Sequence, residues 1–192
     1  MSNLTQVSSK VSLAERNKRN GHHGQIIWLT GLSGAGKSTI AMALERRLFD
    51  DGRQVYVLDG DIVRTGLCQD LGFSLEDRTE NIRRIGEVAR IMANSGLCVI
   101  VAFISPFRVD RDKVRDAMPD GCFIEVYVNA SLEVCQVRDT KGLYARAIRG
   151  EIADFTGISS PYEPPVSPEV ELNTDRLSET EAVDLILSFL SQ

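Results

Sequence analysis

The chain has 192 residues, of which 27 are acidic and 22 basic, so its formal net charge is −5. Hydrophobic residues make up 43% and charged residues 26%, the balance of a globular protein with one sizeable core. The acidic balance argues against nucleic acid or an acidic membrane surface as a partner, and no apolar run is long enough to span a bilayer.

Residues 1–23 are polar and locally basic, and they predict a flexible leader or one that lies over the body of the domain or over a second subunit. The leader lacks the apolar stretch of a secretory signal, so we expect a cytoplasmic protein. From residue 24 to residue 192, apolar runs and helical patterns alternate. This alternation predicts a single α/β domain with a parallel sheet and helices on both faces.

The predicted strands are short apolar runs at residues 26–29, 55–58, 99–103, 123–128 and 170–172. Helical patterns follow residue 37, with apolar residues four apart, and again over residues 82–92, ending near Ser95 and Gly96. A last helix begins with a capping box from Ser178 to Glu181. Four widely spaced cysteines, with no C-x-x-C pair, are interpreted as structural.

Residues 139–168 interrupt the alternation. They hold four of the six prolines, and long irregular segments in compact domains are usually lids or linkers. The segment also carries Phe155, Ile158 and Tyr162, which need a surface to cover. We therefore predict a lid that is ordered by itself or by a ligand.

One motif is complete. The sequence G-L-S-G-A-G-K-S matches G-x-x-x-x-G-K-[ST], and it lies between a predicted strand and a predicted helix, which is typical of the P-loop NTPase fold. Glycines let backbone N–H groups converge on the β-phosphate, Lys37 reaches the β- and γ-phosphates, and the Ser38 hydroxyl can bind Mg²⁺. The predicted nucleotide-binding residues are Gly31, Leu32, Ser33, Gly34, Ala35, Gly36, Lys37, Ser38 and Thr39.

The loop does not identify the phosphate acceptor. No guanine-specifying N-K-x-D is present, so a GTPase is disfavoured, and a single domain with a lid suits a small-molecule kinase. Asp59 and Asp61 close the second predicted strand, where ligands bind in such sheets, although D-G-D alone is also a common turn. Downstream lie Arg64, Arg78, Arg83 and Arg84, which predict either an anion site or a solvated helix face with Glu–Arg pairs.

Several longer motifs together indicate a specific family. D-G-D at 59–61, D-L-G-F-S at 70–74, E-N-I-R-R at 80–84, A-F-I-S-P at 102–106, K-G-L-Y at 141–144 and F-T-G-I at 155–158 occur in one order. Together they resemble adenylylsulfate kinase from about residue 27 to residue 172. The resemblance implies ATP-dependent phosphorylation of the 3′-hydroxyl of adenosine 5′-phosphosulfate (APS), which gives 3′-phosphoadenosine 5′-phosphosulfate (PAPS) and ADP in sulfate activation. It also implies Mg²⁺ and a homodimer, and leaves open an association with ATP sulfurylase.

The resemblance implies roles for individual residues. Asp61 would be the base or metal-side carboxylate between the two substrates. Arg138 would flank the ATP adenine, and Lys141 would face the phosphates. The residues implied to hold APS are Arg64, Phe73, Arg78, Asn81, Ile104, Ser105, Leu143, Thr156 and Gly157. Two positions depart from the family pattern: Ile62 stands where D-G-D is usually followed by Asn, and Thr65 where R-H-G-L is common.

Ser105 joins Lys37 and Asp61 as a candidate catalytic residue, because a serine here invites a two-step transfer through a phosphoserine. Direct in-line transfer needs no such step, so we predict that Ser105 positions APS. Two rival hypotheses stand beside APS kinase. One is a P-loop kinase for a nucleoside or a sugar acid, and the other is a nucleotide-binding module without activity.

Overall fold

The computed structural model describes residues 9–191 and contains five strands and eight helices within that range. The strands are β1 (Gln25–Thr30), β2 (Val55–Asp59), β3 (Cys98–Ala102), β4 (Phe123–Asn129) and β5 (Val170–Asn173). The helices are α1 (Leu13–Asn20), α2 (Lys37–Asp50), α3 (Gly60–Arg64), α4 (Leu75–Asn94), α5 (Arg108–Asp116), α6 (Leu132–Val137), α7 (Leu143–Ile148) and α8 (Glu179–Leu190).

The five strands form one parallel sheet in the order β2-β3-β1-β4-β5. β1 lies at its centre and every residue of β1 is buried. Apolar strands that are buried on both faces are typical of parallel sheets covered by helices. The predicted α/β fold, with a parallel sheet and helices on both faces, is confirmed, as is each of the five predicted strands to within two residues at either end.

Alternate side chains of the strands pack into two separate hydrophobic cores, one on each face of the sheet. Ile27 and Leu29 point to the side of α2, α8 and residues 143–158, where Tyr144 and Phe155 complete the larger cluster. Ile26 and Trp28 point to the other side, against α4 and α5. Because side chains alternate along a strand, the central strand fixes both faces of the domain at once.

The beginning of the chain differs from the predicted flexible leader. Residues 1–8 lie outside the described residues, but α1 is a helix with a full capping box between Ser12 and Glu15. Asn20 donates to the carbonyl of Gly96 (3.1 Å), and Asn17 accepts from the N–H of Gly24 (2.9 Å). Residues 13–20 therefore lie against the turn between α4 and β3, in line with the alternative of a leader that covers the domain.

Residues 139–168 are also more regular than predicted, because α7 lies within them. The aromatic side chains of this segment do contact a surface. Phe155 packs edge-on against Tyr144, with ring centroids 5.0 Å apart, and Tyr162 stacks on Tyr127 at 6.1 Å.

The four cysteines form no disulfide, and burial raises the pKa of each thiol. Within residues 9–191, none of the helices has both the length and the apolar character needed to cross a bilayer.

Candidate active site

The glycine-rich loop at residues 31–38 connects the end of β1 to the start of α2. Gly34 and Gly36 have positive φ angles, and a Cβ at Gly34 would lie 2.8 Å from the carbonyl oxygen of Cys135. The loop therefore needs glycine both for its backbone angles and for its close approach to α6. Gly36 precedes α2 without any side-chain cap, so the first N–H groups of the helix remain available to an anion.

Lys37 lies beneath this loop with only 8% of its surface exposed. Its ammonium group donates to the carbonyl oxygens of Gly31 (2.9 Å) and Leu32 (2.7 Å). Burial lowers the pKa of Lys37 to about 8, partly opposed by Asp59 and Cys135 nearby. The lysine is thus held by the loop itself, beside the position at which the loop can receive phosphate.

The D-G-D sequence gives its two carboxylates different environments. Asp59, the last residue of β2, is buried, and its Oδ2 accepts a hydrogen bond from the Ser38 hydroxyl at 2.6 Å. Its Oδ1 accepts from the N–H of Asp61 and so caps α3. Asp61 is exposed and pairs with Lys141, and that hydrogen bond raises the pKa of the lysine. Asp59 was not among the predicted site residues, because the D-G-D pattern does not say which carboxylate faces the loop.

Arg64 and Phe73 form one wall of the cleft. The Arg64 guanidinium lies over the Phe73 ring at 4.4 Å and donates to the carbonyl of Gly72 at 2.9 Å. Phe73 is 62% exposed, so much of its side chain remains accessible. A large exposed aromatic ring beside a cation can accept a flat ligand such as a nucleobase.

Arg78, in the first turns of α4, links this wall to residues 139–168. Its Nε donates to the carbonyl of Phe73 (2.9 Å), and its other nitrogens donate to the Thr156 hydroxyl and the Asp154 carbonyl. One turn further on, Asn81 is buried, and its Oδ1 has no hydrogen-bond partner within residues 9–191. A buried acceptor without a donor in the protein is expected where a ligand supplies one.

Arg83 and Arg84 do not line the cleft. Arg83 pairs with Glu80 at 2.6 Å, and Arg84 pairs with Asp70 at 2.7 Å and with Glu80 at 2.9 Å. Of the two hypotheses for the arginine series, a solvated helix face with Glu–Arg pairs therefore describes Arg83 and Arg84. Arg64 and Arg78, by contrast, belong to the wall of the cleft.

Ser105 lies at the end of the third predicted strand, where the chain leaves β3, and only 1% of its surface is exposed. Its hydroxyl accepts from the Trp28 indole (3.0 Å) and donates to the Thr30 hydroxyl (3.0 Å). Both hydrogen-bonding functions of the hydroxyl are therefore used inside the protein. The backbone of Ser105 has a φ of 39°, in the left-handed region that a non-glycine residue rarely adopts.

These features surround one cleft of about 950 Å³ at the carboxyl ends of the strands. It brings together all of the predicted site residues except Gly31, Leu32 and Gly157. Those three lie behind its surface: a Cβ at Gly157 would be 3.1 Å from the Leu32 side chain, and one at Gly31 would collide with the Val128 carbonyl.

The cleft also has lining residues that the sequence reasoning missed. Besides Asp59, they include Asp139, Thr140, Arg146, Phe155, Thr174 and Glu179. Thr174 follows β5, so the rule that ligands bind beyond the carboxyl ends of strands could have found it. Its hydroxyl donates to the carbonyl of Ala35 (3.0 Å), and its carbonyl accepts from Arg138 (2.7 Å).

A family model described as adenylylsulphate kinase matches residues 23–173, which is more than three quarters of the chain. The chain belongs to the adenylylsulphate kinase family. The resemblance inferred from the motifs is thereby confirmed, and the matched region contains every residue of the predicted site.

Individual relatives agree with this family. The chain is 57% identical to "Probable adenylyl-sulfate kinase" of Halalkalibacterium halodurans, covering 95% of this chain and 90% of that protein. Among solved structures, it is similar to the Mycobacterium tuberculosis APS kinase CysC in complex with AMPPNP and APS. The TM-score is 0.84 at 46% identity, over 88% of this chain and 99% of that one. A hexameric APS kinase from Thiobacillus denitrificans is similar over 93% of this chain and 31% of that one, with a TM-score of 0.68 at 36% identity.

Proposed function

We propose that this adenylylsulphate kinase family member transfers the γ-phosphate of ATP to the 3′-hydroxyl of APS, giving PAPS and ADP. One observation carries the proposal. A complete phosphate-binding loop and the Arg64–Phe73–Arg78–Asn81 wall face each other across a single cleft. The loop suits a nucleoside triphosphate, whereas two arginines, an exposed aromatic ring and an unpaired amide oxygen suit a second ligand that carries both a base and anionic groups.

On the ATP side, the N–H groups of residues 33–39 would bind the β-phosphate, and Lys37 would stabilise the charge that develops on the transferred group. The Ser38 hydroxyl and the Asp59 carboxylate are suitable oxygen ligands for Mg²⁺, directly or through water. When bound, Mg²⁺ would neutralise phosphate charge. Residues 9–191 contain no group of three or more His, Cys, Asp or Glu side chains placed so that they could hold a metal ion. Arg138 would lie beside the ATP adenine.

On the acceptor side, Arg64 and Arg78 would bind the phosphosulfate, Asn81 the ribose, and Phe73 the adenine. Asp61 would accept the proton of the APS 3′-hydroxyl. The hydroxyl oxygen would attack the γ-phosphorus of ATP, and the bond between this phosphorus and the bridging oxygen, which leaves with ADP, would break. Lys141 pairs with Asp61. Bound phosphates would compete for this lysine and leave the carboxylate free to act as the base.

Residues 139–168 would act as a lid over both substrates. Leu143 and Thr156 line the cleft, and Arg78 already connects the lid to the acceptor wall. A lid excludes water from phosphoryl transfer, which would otherwise hydrolyse ATP. Hydrogen exchange at residues 139–168 should slow when ADP and APS bind together. Unchanged exchange would contradict the lid.

The test of the proposed function is a coupled ADP-release assay with APS against a panel of acceptors. Adenosine, AMP, gluconate and water serve as the alternatives. Turnover that requires APS supports the proposal. Faster turnover with a nucleoside or a sugar acid would favour the rival kinase, and tight ATP binding without turnover on any acceptor would favour a non-catalytic module.

Three further expectations concern the setting of the enzyme. We expect a homodimer in the cytoplasm, acting on the APS that ATP sulfurylase makes, with or without direct contact between the two proteins. Sedimentation equilibrium of the purified chain measures the oligomeric state. Co-sedimentation with an ATP sulfurylase tests the association, and fractionation of the native cells tests the location.

A further inference from the structure

Besides the Arg64–Phe73–Arg78–Asn81 wall, residues 104–106 line the cleft, and their backbone conformation needs support. Ile104, Ser105 and Pro106 line the cleft between β3 and α5, and Ser105 has its φ in the left-handed region. Such a conformation persists in a non-glycine residue only where the surrounding structure holds it. The hydrogen bonds to Trp28 and Thr30 hold the Ser105 side chain, whereas the Thr30 hydroxyl reaches the Ser105 carbonyl only over 3.4 Å.

That carbonyl is held by Arg111, a residue of α5 that is 1% exposed. The guanidinium donates in three directions: to the Ser105 carbonyl (2.7 Å), to the Glu163 carbonyl (2.9 Å) and to Oε1 of Glu125 (2.6 Å). The guanidinium spreads its donors over three nitrogens in a rigid plane, whereas the three donors of a lysine ammonium share one nitrogen on a flexible stem. Arg111 does not itself line the cleft.

The second acceptor, Glu163, lies in residues 139–168, the proposed lid. Its N–H donates back to the Pro106 carbonyl at 2.8 Å, and Arg108 donates to the neighbouring Pro164 carbonyl at 2.6 Å. One guanidinium thus ties the strained wall of the cleft to the last part of the lid. Glu125 balances its charge, and the other oxygen of Glu125 accepts from Arg115 at 3.2 Å.

We propose that Arg111 is a positioning residue for the acceptor, which fixes the Ile104–Pro106 wall and the end of the lid in the arrangement that binds APS. The proposal rests on the proposed function. It goes beyond it by giving a buried residue outside the cleft a role in acceptor recognition. The ATP side of the cleft makes none of these contacts, so the effect is selective for APS.

The first test is Arg111→Lys, which keeps the charge beside Glu125 and loses the fork. The KM for APS rises at least tenfold, while the KM for ATP stays within about threefold, because only the Ile104–Pro106 wall loses its support. Arg115→Lys is the matched control: it changes a contact to the same Glu125 without touching the wall or Glu163. The KM for APS of this control stays within about twofold of wild type.

A second variant separates positioning from stability. Arg111→Met combined with Glu125→Gln removes both charges, and replacing both members of a buried pair is far less damaging than removing one. The melting temperature of the double variant therefore exceeds that of Arg111→Met alone. Its affinity for APS in the presence of ADP, measured by calorimetry, stays at least tenfold weaker than that of wild type.

Wild-type APS affinity in the double variant, or equal losses for APS and ATP in Arg111→Lys, would overturn the proposal. The proposed function fails separately, if the wild-type chain releases no ADP with APS. Calorimetry with APS and ADP does not need turnover, so it decides the role of Arg111 in either case.

Discussion

The hydroxyl of Ser38, the second residue of α2, donates to the Asp59 carboxylate at the end of β2 over 2.6 Å. This bond brings together the two oxygen groups that we propose as Mg²⁺ ligands beside the phosphate-binding loop. The motif alone identifies Ser38. Only the register of β2 beside β3, with Asp59 opposite Ala102, brings the carboxylate to the same edge of the sheet.

Asp59→Asn tests this arrangement. Asparagine still caps α3 through its amide oxygen, so the fold is preserved, but the side chain is neutral and a poorer ligand for Mg²⁺. We expect the Mg²⁺ concentration for half-maximal activity to rise at least tenfold. Asp51→Asn, on an exposed turn after α2, is the charge-matched control. An unchanged Mg²⁺ activation curve for Asp59→Asn would exclude this carboxylate from the metal site.

Lys37 makes ATP binding dependent on pH. Burial lowers its pKa to about 8, and a bound phosphate would favour the charged form and so raise the pKa. At pH values between these two pKa values, ATP binding takes up a proton. The affinity for ATP then falls by up to about tenfold for each pH unit above 8. Calorimetry at pH 9 in two buffers with different ionisation enthalpies should detect close to one proton. Lys37→Arg stays protonated, so an equal proton uptake in this variant would assign the proton to another group.

Arg78→Ala should weaken APS much more than ATP. The guanidinium lies at the acceptor wall and bonds to Thr156 and Asp154 of the proposed lid, so its loss removes an anion contact and loosens the cover of the cleft. We expect the Kd for APS to rise at least tenfold and the Kd for ATP to change less than threefold. Arg83→Ala is the control, since Arg83 is exposed and, among residues 9–191, pairs only with Glu80. Equal losses for both nucleotides would contradict this placement.

Ser105→Ala should separate positioning from covalent catalysis. The change leaves the buried Trp28 indole without its acceptor, which should cost about 1–3 kcal/mol of stability. We expect the KM for APS to rise, because residues 104–106 lose part of the support of their conformation, while kcat stays within about tenfold. Incubation with labelled ATP and no APS provides the decisive measurement. A serine-bound label that is chased into product at the turnover rate would establish a phosphoserine intermediate.

The sequence predicted the sheet well because each strand is a short apolar run between turns, and a strand buried on both faces needs nothing else. The short helices were missed for the opposite reason. α3, α6 and α7 have five or six residues each, too few for a 3.6-residue period to show. α1 buries none of its residues and has no apolar stripe to detect, yet its capping box at Ser12 and Glu15 was readable.

The site divides in the same way. The glycines and Lys37 form a motif of fixed spacing, so the phosphate-binding loop could be predicted from spacing alone, whereas Thr174, which contacts the loop at Ala35, could not. Arg111 could not, because its role depends on acceptors at Ser105, Glu125 and Glu163, which only the folded chain brings within reach of one guanidinium. Asp59 lies between these cases, since its strand was predicted and its orientation was not.

The central position of β1 also determines when the domain can form. β1 is the first strand in the chain, yet its hydrogen-bonded neighbours β3 and β4 begin at Cys98 and Phe123. The edge strand β5, which pairs with β4, begins only at Val170. A chain emerging from the ribosome therefore carries the apolar run at residues 26–29 while residues 31–97 are made, before either hydrogen-bonded neighbour of β1 has been synthesised. Such late pairing slows folding and leaves the strand open to aggregation. Chains that end before Cys98 should be digested completely by a protease that spares the full-length protein, and survival of a resistant core in them would show that folding begins without the neighbours of β1.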